Sequence, residues 1–371
     1  MTDARAATGQ AWAWRRPLGN RSIVRRALAR ALAPGSAWSA VTVWIVWALV
    51  LTAVVAFVQV VRPYDPWPNV DRSGFLWPIR LWDYAHYASI SQHWYPEGSA
   101  TVEYAFFPLL PAILALGGKT IGAAALGTIV AIAASAAAFV GVATANPSGS
   151  VRRTAVALAC MPTSYVLFLV YPEGLALAAA VWACILASRD RWAGAAALAV
   201  VASLARPNGF LIAVALLLLA RHSTSRSRWV AVVAPPIAFV GVLAYFWWRS
   251  GSMFAFTEAQ GWARGHPWEL PLSLFESPAR MWEGIIVAFA IYLCIRLWRS
   301  SVDRAWPAFA TAVLAMSLGS GTVWGASRHM MFAFPLVWAA AESERLRRWP
   351  YAMLGASLSI VHMLVILPDV P

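Results

Sequence analysis

The residues in this chain that could do chemistry are few and far apart. Arg80 to Pro111 (RLWDYAHYASISQHWYPEGSATVEYAFFPLLP) gathers Asp83, His86 and His93 among several aromatics. Wound as a helix, Asp83, His86, Tyr87, Ile90 and Trp94 share one stripe, and Leu81, Tyr84, Ala85 and Ala88 fall on another. Glu173 follows in Tyr171-Pro172-Glu173-Gly174, Arg206 and Asn208 in Arg206-Pro207-Asn208-Gly209, and then comes the pair Arg328-His329. A carboxylate in such a set can accept a proton, and an arginine can hold an anion through its planar fork of donors. Taken singly, each is also what an interfacial turn or a helix cap would use.

What surrounds these residues is apolar. With 60% hydrophobic residues, 12% charged and a mean hydropathy of +0.62, the composition excludes an ordinary soluble domain. The 22 tryptophans suit long membrane–water boundaries, where indole rings collect. A net charge of +13 raises nucleic acid as a partner. The arginines, however, come in short clusters between apolar runs, the distribution of cytoplasmic loops, and nucleic-acid binding is set aside. Cys160, Cys184 and Cys294 make no disulfide framework or zinc spacing, and the six histidines form no metal-binding pair. No metal site is read, although an outer carboxylate pair could hold a divalent cation transiently.

The elements that position the set are expected to be transmembrane helices. Residues 1–36 read as a basic cytoplasmic tail, and Ala37–Val61 as a retained first span. Positive charge before that span puts residues 62–104 outside as a first external loop with a juxtamembrane helix. Residues 105–145 then read as a half-helix or re-entrant piece, broken at Gly117-Gly118-Lys119, followed by one full span. Thr154–Val170, Gly174–Ser188, Trp192–Ala205, Phe210–Ala220 and Val230–Trp248 alternate up to a second external loop, 249–283. Ile285–Leu297, Ala305–Leu318, Met330–Ala341 and Tyr351–Leu367 complete about eleven crossings, several shorter than the roughly 20 residues of a straight span. The expected fold is thus all-α and polytopic, with residues 37–371 forming one transmembrane domain.

This parity puts Asp83, Glu173, Arg206 and Arg328 on the same face. An ionised group at mid-bilayer costs about 2.5–3.5 kcal/mol even on the lenient insertion scale, so such groups persist where they meet water, a partner or a ligand. Four sequence-distant sites on one side look like one cavity.

The same residues carry a resemblance. Trp82-Asp83-Tyr84-Ala85-His86-Tyr87, with Ile90 and Tyr95, precedes Ala105-Phe106-Phe107-Pro108-Leu109-Leu110-Pro111. Met161-Pro162-Thr163-Ser164 with Tyr171-Pro172-Glu173, then Ala205-Arg206-Pro207-Asn208-Gly209, then Ser327-Arg328-His329 with Phe334-Pro335, follow in order. Together they resemble the PIG-V family of mannosyltransferases over residues 82–335. The chain departs from that pattern at Pro172, at Trp94 where glycine commonly precedes the tyrosine, and at His329 where tyrosine often follows the arginine.

The resemblance implies a GT-C architecture in a bacterial plasma membrane, with an active site on the extracytoplasmic face. It implies transfer of mannose from polyprenyl-phosphate mannose to a glycolipid or glycan acceptor, with inversion. Asp83 is then the candidate general base, and Glu173 shares that role or orients sugar hydroxyls. Arg328, then Arg206, would hold the departing phosphate, assisted by His329, with Asn208, His86 and Tyr87 completing the donor site. A lipid or sugar transporter would show matching half-repeats with paired broken helices, which the sequence lacks. A non-catalytic partner of a glycosyltransferase would have no need of all four motifs.

Overall fold

Among the described residues every regular element is helical. The computed structural model describes residues 34–61, 79–80, 83–147, 149–261, 278–319 and 325–344, with Gly355 and Ser357. The tail before residue 34, residues 62–78, Leu81, Trp82, residues 262–277 and nearly all of the expected span Tyr351–Leu367 lie outside the described residues.

Four helices are long and apolar enough to cross a membrane: α1 (Pro34–Val61), and, further along, the helices Ala123–Ala145, Arg228–Ser250 and Pro278–Arg299. At 1.5 Å per residue a 23-residue helix reaches about 35 Å, enough for a hydrocarbon core of about 30 Å. Their outward faces are apolar: Leu49 and Phe57, Ile237 and Val240, Ile285 and Ile295 are all exposed. Patches of this kind are covered by lipid in a membrane protein.

Between α1 and the second of these lie α2 (Tyr84–His93) and α3 (Leu109–Ile121), and α4 is Ala123–Ala145. The sequence placed the α3–α4 break at Gly117-Gly118-Lys119, but α3 runs through those residues and stops at Gly122. Gly122 has φ +84°, which only glycine adopts without strain, so the reversal falls there. The expected span Thr154–Val170 is not one helix. It divides into α5 (Val151–Ala159) and a 3₁₀ turn, Ser164–Leu167. Pro162 cannot donate to a helical ladder, and the Ser164 hydroxyl donates to the Ala159 carbonyl at 2.8 Å, closing the break.

Next come α6 (Pro172–Ser188), α7 (Trp192–Ala205), a 3₁₀ turn at Pro207–Leu211, α8 (Ile212–Ala220) and α9 (Arg228–Ser250). α6 is buried along nearly its whole length and packs against α4 and α7. Its alanines let neighbouring backbones approach closely. After α10 (Ala255–Ala259), α11 (Pro278–Arg299) starts inside the stretch expected to be the second external loop. α12 is Ala305–Leu318. The short α13 (Ala326–Met330) ends where the expected span Met330–Ala341 begins, and of that span only α14 (Pro335–Ala341), with Pro335 at its start, is helical beyond the first residue.

Candidate active site

α6 and α7 are antiparallel neighbours, which brings the start of one to the end of the other. Pro172 sits in the first turn of α6 with Glu173 beside it, where an acid complements the positive end of the helix dipole. Arg206 caps α7 in an extended conformation imposed by Pro207, and a cation there complements the negative end. The two side chains pair at 3.2 Å, Arg206 Nη1 to Glu173 Oε1. The turn that follows requires glycine: a Cβ on Gly209 would stand 2.0 Å from the Ala202 carbonyl oxygen.

Arg328 enters from α13. Its Nε donates to Glu173 Oε1, and its Nη2 donates to Asp83 Oδ2 at 2.5 Å. Two carboxylates and two guanidinium groups therefore form one cluster from four distant parts of the chain. Burying a lone carboxylate is costly, and Glu173, 6% exposed, is retained because two arginines meet it. Asp83 and Arg328 are about one-fifth exposed, so this side of the cluster is open to solvent.

The remaining expected residues lie close by. Tyr87 is buried one turn after Asp83, and burial pushes its phenol well above the ordinary range, keeping it a neutral hydrogen-bonding group. His86 stacks on Phe106 with ring centroids 4.6 Å apart, and Tyr87 meets the same ring edge-on. Asn208 Nδ2 donates to the His329 carbonyl at 3.4 Å. Loss of hydration, reinforced by Arg206 and Arg328, lowers His329 to about 3, so it is uncharged at neutral pH. The helical stripe drawn from sequence needs correction: Tyr84, Tyr87 and Ile90 form the buried face of α2, and Trp94 lies beyond its end with φ +61°.

Four residues without an expected role hold the cluster. Asp83 N–H donates to the Tyr171 hydroxyl at 3.2 Å, and the Arg328 guanidinium lies over the Tyr171 ring, 4.4 Å from its centroid. From α11, Glu283, 2% exposed, accepts the Ser327 N–H at 3.0 Å, while the Thr163 hydroxyl donates to the Ser327 carbonyl at 3.1 Å. Both bonds fix the backbone next to Arg328. An acid at the entry of an apolar helix was the available signal for Glu283.

A narrow cleft with room for about one water molecule lies beside the cluster, lined by Glu173, Arg206, Asn208 and Arg328 and by Leu167, Leu177 and Phe332 among its apolar walls. Among the described residues no group of three or more His, Cys, Asp or Glu side chains is gathered to hold a metal ion. Fold and site together define an all-helical membrane protein with a charged cleft where several helices end. In comparisons with known proteins, no family model, no curated protein and no solved structure matches this chain.

Proposed function

We propose that this protein is a polytopic glycosyltransferase that moves mannose from polyprenyl-phosphate mannose to an extracytoplasmic glycolipid or glycan, with inversion. The observation that carries the reading is the meeting of Asp83 with Arg328, itself joined to Glu173, which also pairs with Arg206, beside a narrow cleft with apolar walls. The likeness of the surrounding motifs to the PIG-V family supports it. In the reaction, an acceptor hydroxyl attacks the anomeric carbon and gives its proton to Asp83. The bond from that carbon to the phosphate oxygen breaks as the new glycosidic bond forms, and charge gathers on the phosphate. Arg328, with Arg206 behind it, stabilises that charge. Because Arg328 is held by both carboxylates, an arriving phosphate competes with Asp83 for the guanidinium and leaves the carboxylate available to the acceptor.

In this reading the shorter apolar helices and the broken segments are further crossings, about eleven in all, in a GT-C arrangement within a bacterial plasma membrane. The cleft then faces the extracytoplasmic side, where the donor's lipid tail stays in the bilayer and its phosphosugar reaches the headgroup layer. The test is a mass-spectrometric comparison of glycolipids and mannoproteins from cells with and without the gene. A species one hexose shorter in the deletion strain supports the reading and names the acceptor, and identical profiles count against it.

A further inference from the structure

The short helix that carries Arg328 has no cap of its own. α13 begins at Gly325, which takes φ +70° and has no side chain to accept the N–H groups that open a helix. A cap ordinarily accepts from the second or third helical residue, and the second here is Ser327. Its N–H is met from 44 residues away, by Glu283 Oε2 of α11 at 3.0 Å. The Ser327 carbonyl is taken by the Thr163 hydroxyl at 3.1 Å. Both supports are buried. Ser327 is therefore gripped on both sides of its Cα, one residue before Arg328.

Arg328 has little freedom to absorb an error in where its backbone sits. Its Nε donates to Glu173 and its Nη2 to Asp83, so one planar group must meet two carboxylates at once. Keeping the Glu283 carboxylate at 2% exposure is costly, and the bond to Ser327 offsets part of that cost. We infer that Glu283 is a positioning residue for Arg328: it supplies from α11 the cap that α13 lacks, and so sets where the guanidinium stands toward a donor phosphate. Glu283 acts through the Ser327 peptide rather than on the substrate. A misplacement of about 1 Å, even from a change away from the chemistry, can cost on the order of 10²-fold in rate. This rests on the transferase reading, in which Arg328 holds the phosphate, and adds the residue that aims it.

The test is the affinity of the full-length protein in lipid nanodiscs for polyprenyl phosphate. It is measured for the wild type, Glu283→Leu, Glu283→Gln, Arg328→Ala and the double variant of Glu283→Leu with Arg328→Ala. Glu283→Leu fills the space but accepts no hydrogen bond, and it weakens binding about tenfold. Glu283→Gln keeps an acceptor at the same reach and recovers most of that loss. In the Arg328→Ala background, Glu283→Leu costs less than about a further twofold, since the group it positions is gone. Three results overturn the inference: binding by Glu283→Leu within about twofold of wild type, a Glu283→Gln loss as large as that of Glu283→Leu, or losses that multiply in the double variant. Each of these leaves the transferase reading to the glycolipid comparison. Where Glu283→Leu does not fold, Glu283→Asp takes its place in the cycle, because it draws the acceptor back by one methylene, and the same outcomes decide. No binding by the wild type, or unchanged binding by Arg328→Ala, overturns the phosphate-holding role of Arg328 and this inference with it.

Discussion

Glu173 offers the sharpest contrast between a buried charge and an exposed one. Its carboxylate, 6% exposed, takes Arg206 and Arg328 together, so Glu173→Leu leaves two guanidinium groups with Asp83 alone. Removing one partner of a buried pair costs about 3–5 kcal/mol, because the other charge stays behind. Arg206 and Arg328 are 11% and 23% exposed, and water reaching them puts this case near the lower end, about 3 kcal/mol. At about 2 °C per kcal/mol for a large chain, the thermal midpoint should fall by roughly 6 °C. Glu97 is the control. It also pairs with an arginine, Arg249, but is 71% exposed, and such pairs contribute about 0–1 kcal/mol. Unfolding in detergent, followed by tryptophan fluorescence, should therefore show a clear drop for Glu173→Leu and almost none for Glu97→Gln. Equal midpoints for both variants would refute the claim that the cluster ties these helix ends together.

Other expectations follow from the same geometry. Trp94 has φ +61° and ψ −166°, a glycine region that costs another residue about 1–3 kcal/mol. Trp94→Gly should thus be at least as stable as Trp94→Ala in thermal unfolding, reversing the usual order of the two residues. Arg328→Lys keeps the charge but cannot span Asp83 and Glu173 with a planar fork, so transfer should fall by about 10–100-fold, the worth of one charged hydrogen bond. Arg328→Ala should fall further, and wild-type kinetics in a folded Arg328→Ala protein would remove the residue from the mechanism. Cysteine labelling from outside intact cells should reach a cysteine placed within 249–261 and miss one placed within 221–228, since arginine-rich loops stay inside. Labelling of both from one side would contradict the proposed orientation.

Much of the scaffold was legible because apolar runs end at charged or proline residues. α7 and α12 start and stop where the sequence put them. The grouping of Asp83, Glu173, Arg206 and Arg328 was read from counting crossings, and the structure joins the four through ion pairs. The broken segments were not legible: a buried 3₁₀ turn such as Ser164–Leu167 is as apolar as a helix, and hydropathy alone cannot separate them. What sets that break is long-range, including the Thr163 bond to Ser327. Glu283 and Tyr171 were missed as supports for a similar reason, since their partners lie 44 and 88 residues away in sequence. The displaced α3–α4 break shows that a glycine pair does not by itself end a helix. The stop comes at Gly122, which takes the positive φ.

The most direct measurement is mannose transfer by purified protein in bilayers, from radiolabelled polyprenyl-phosphate mannose to membrane acceptors, with Asp83→Asn alongside. Asparagine keeps the volume and hydrogen-bonding capacity of Asp83 but cannot take the hydroxyl proton. The account predicts a labelled product with the wild type and a rate about 10²–10⁴-fold lower with a folded Asp83→Asn protein. No transfer by the wild type, or an Asp83→Asn rate above about a tenth of it, would contradict Asp83 as the base of a mannosyltransferase.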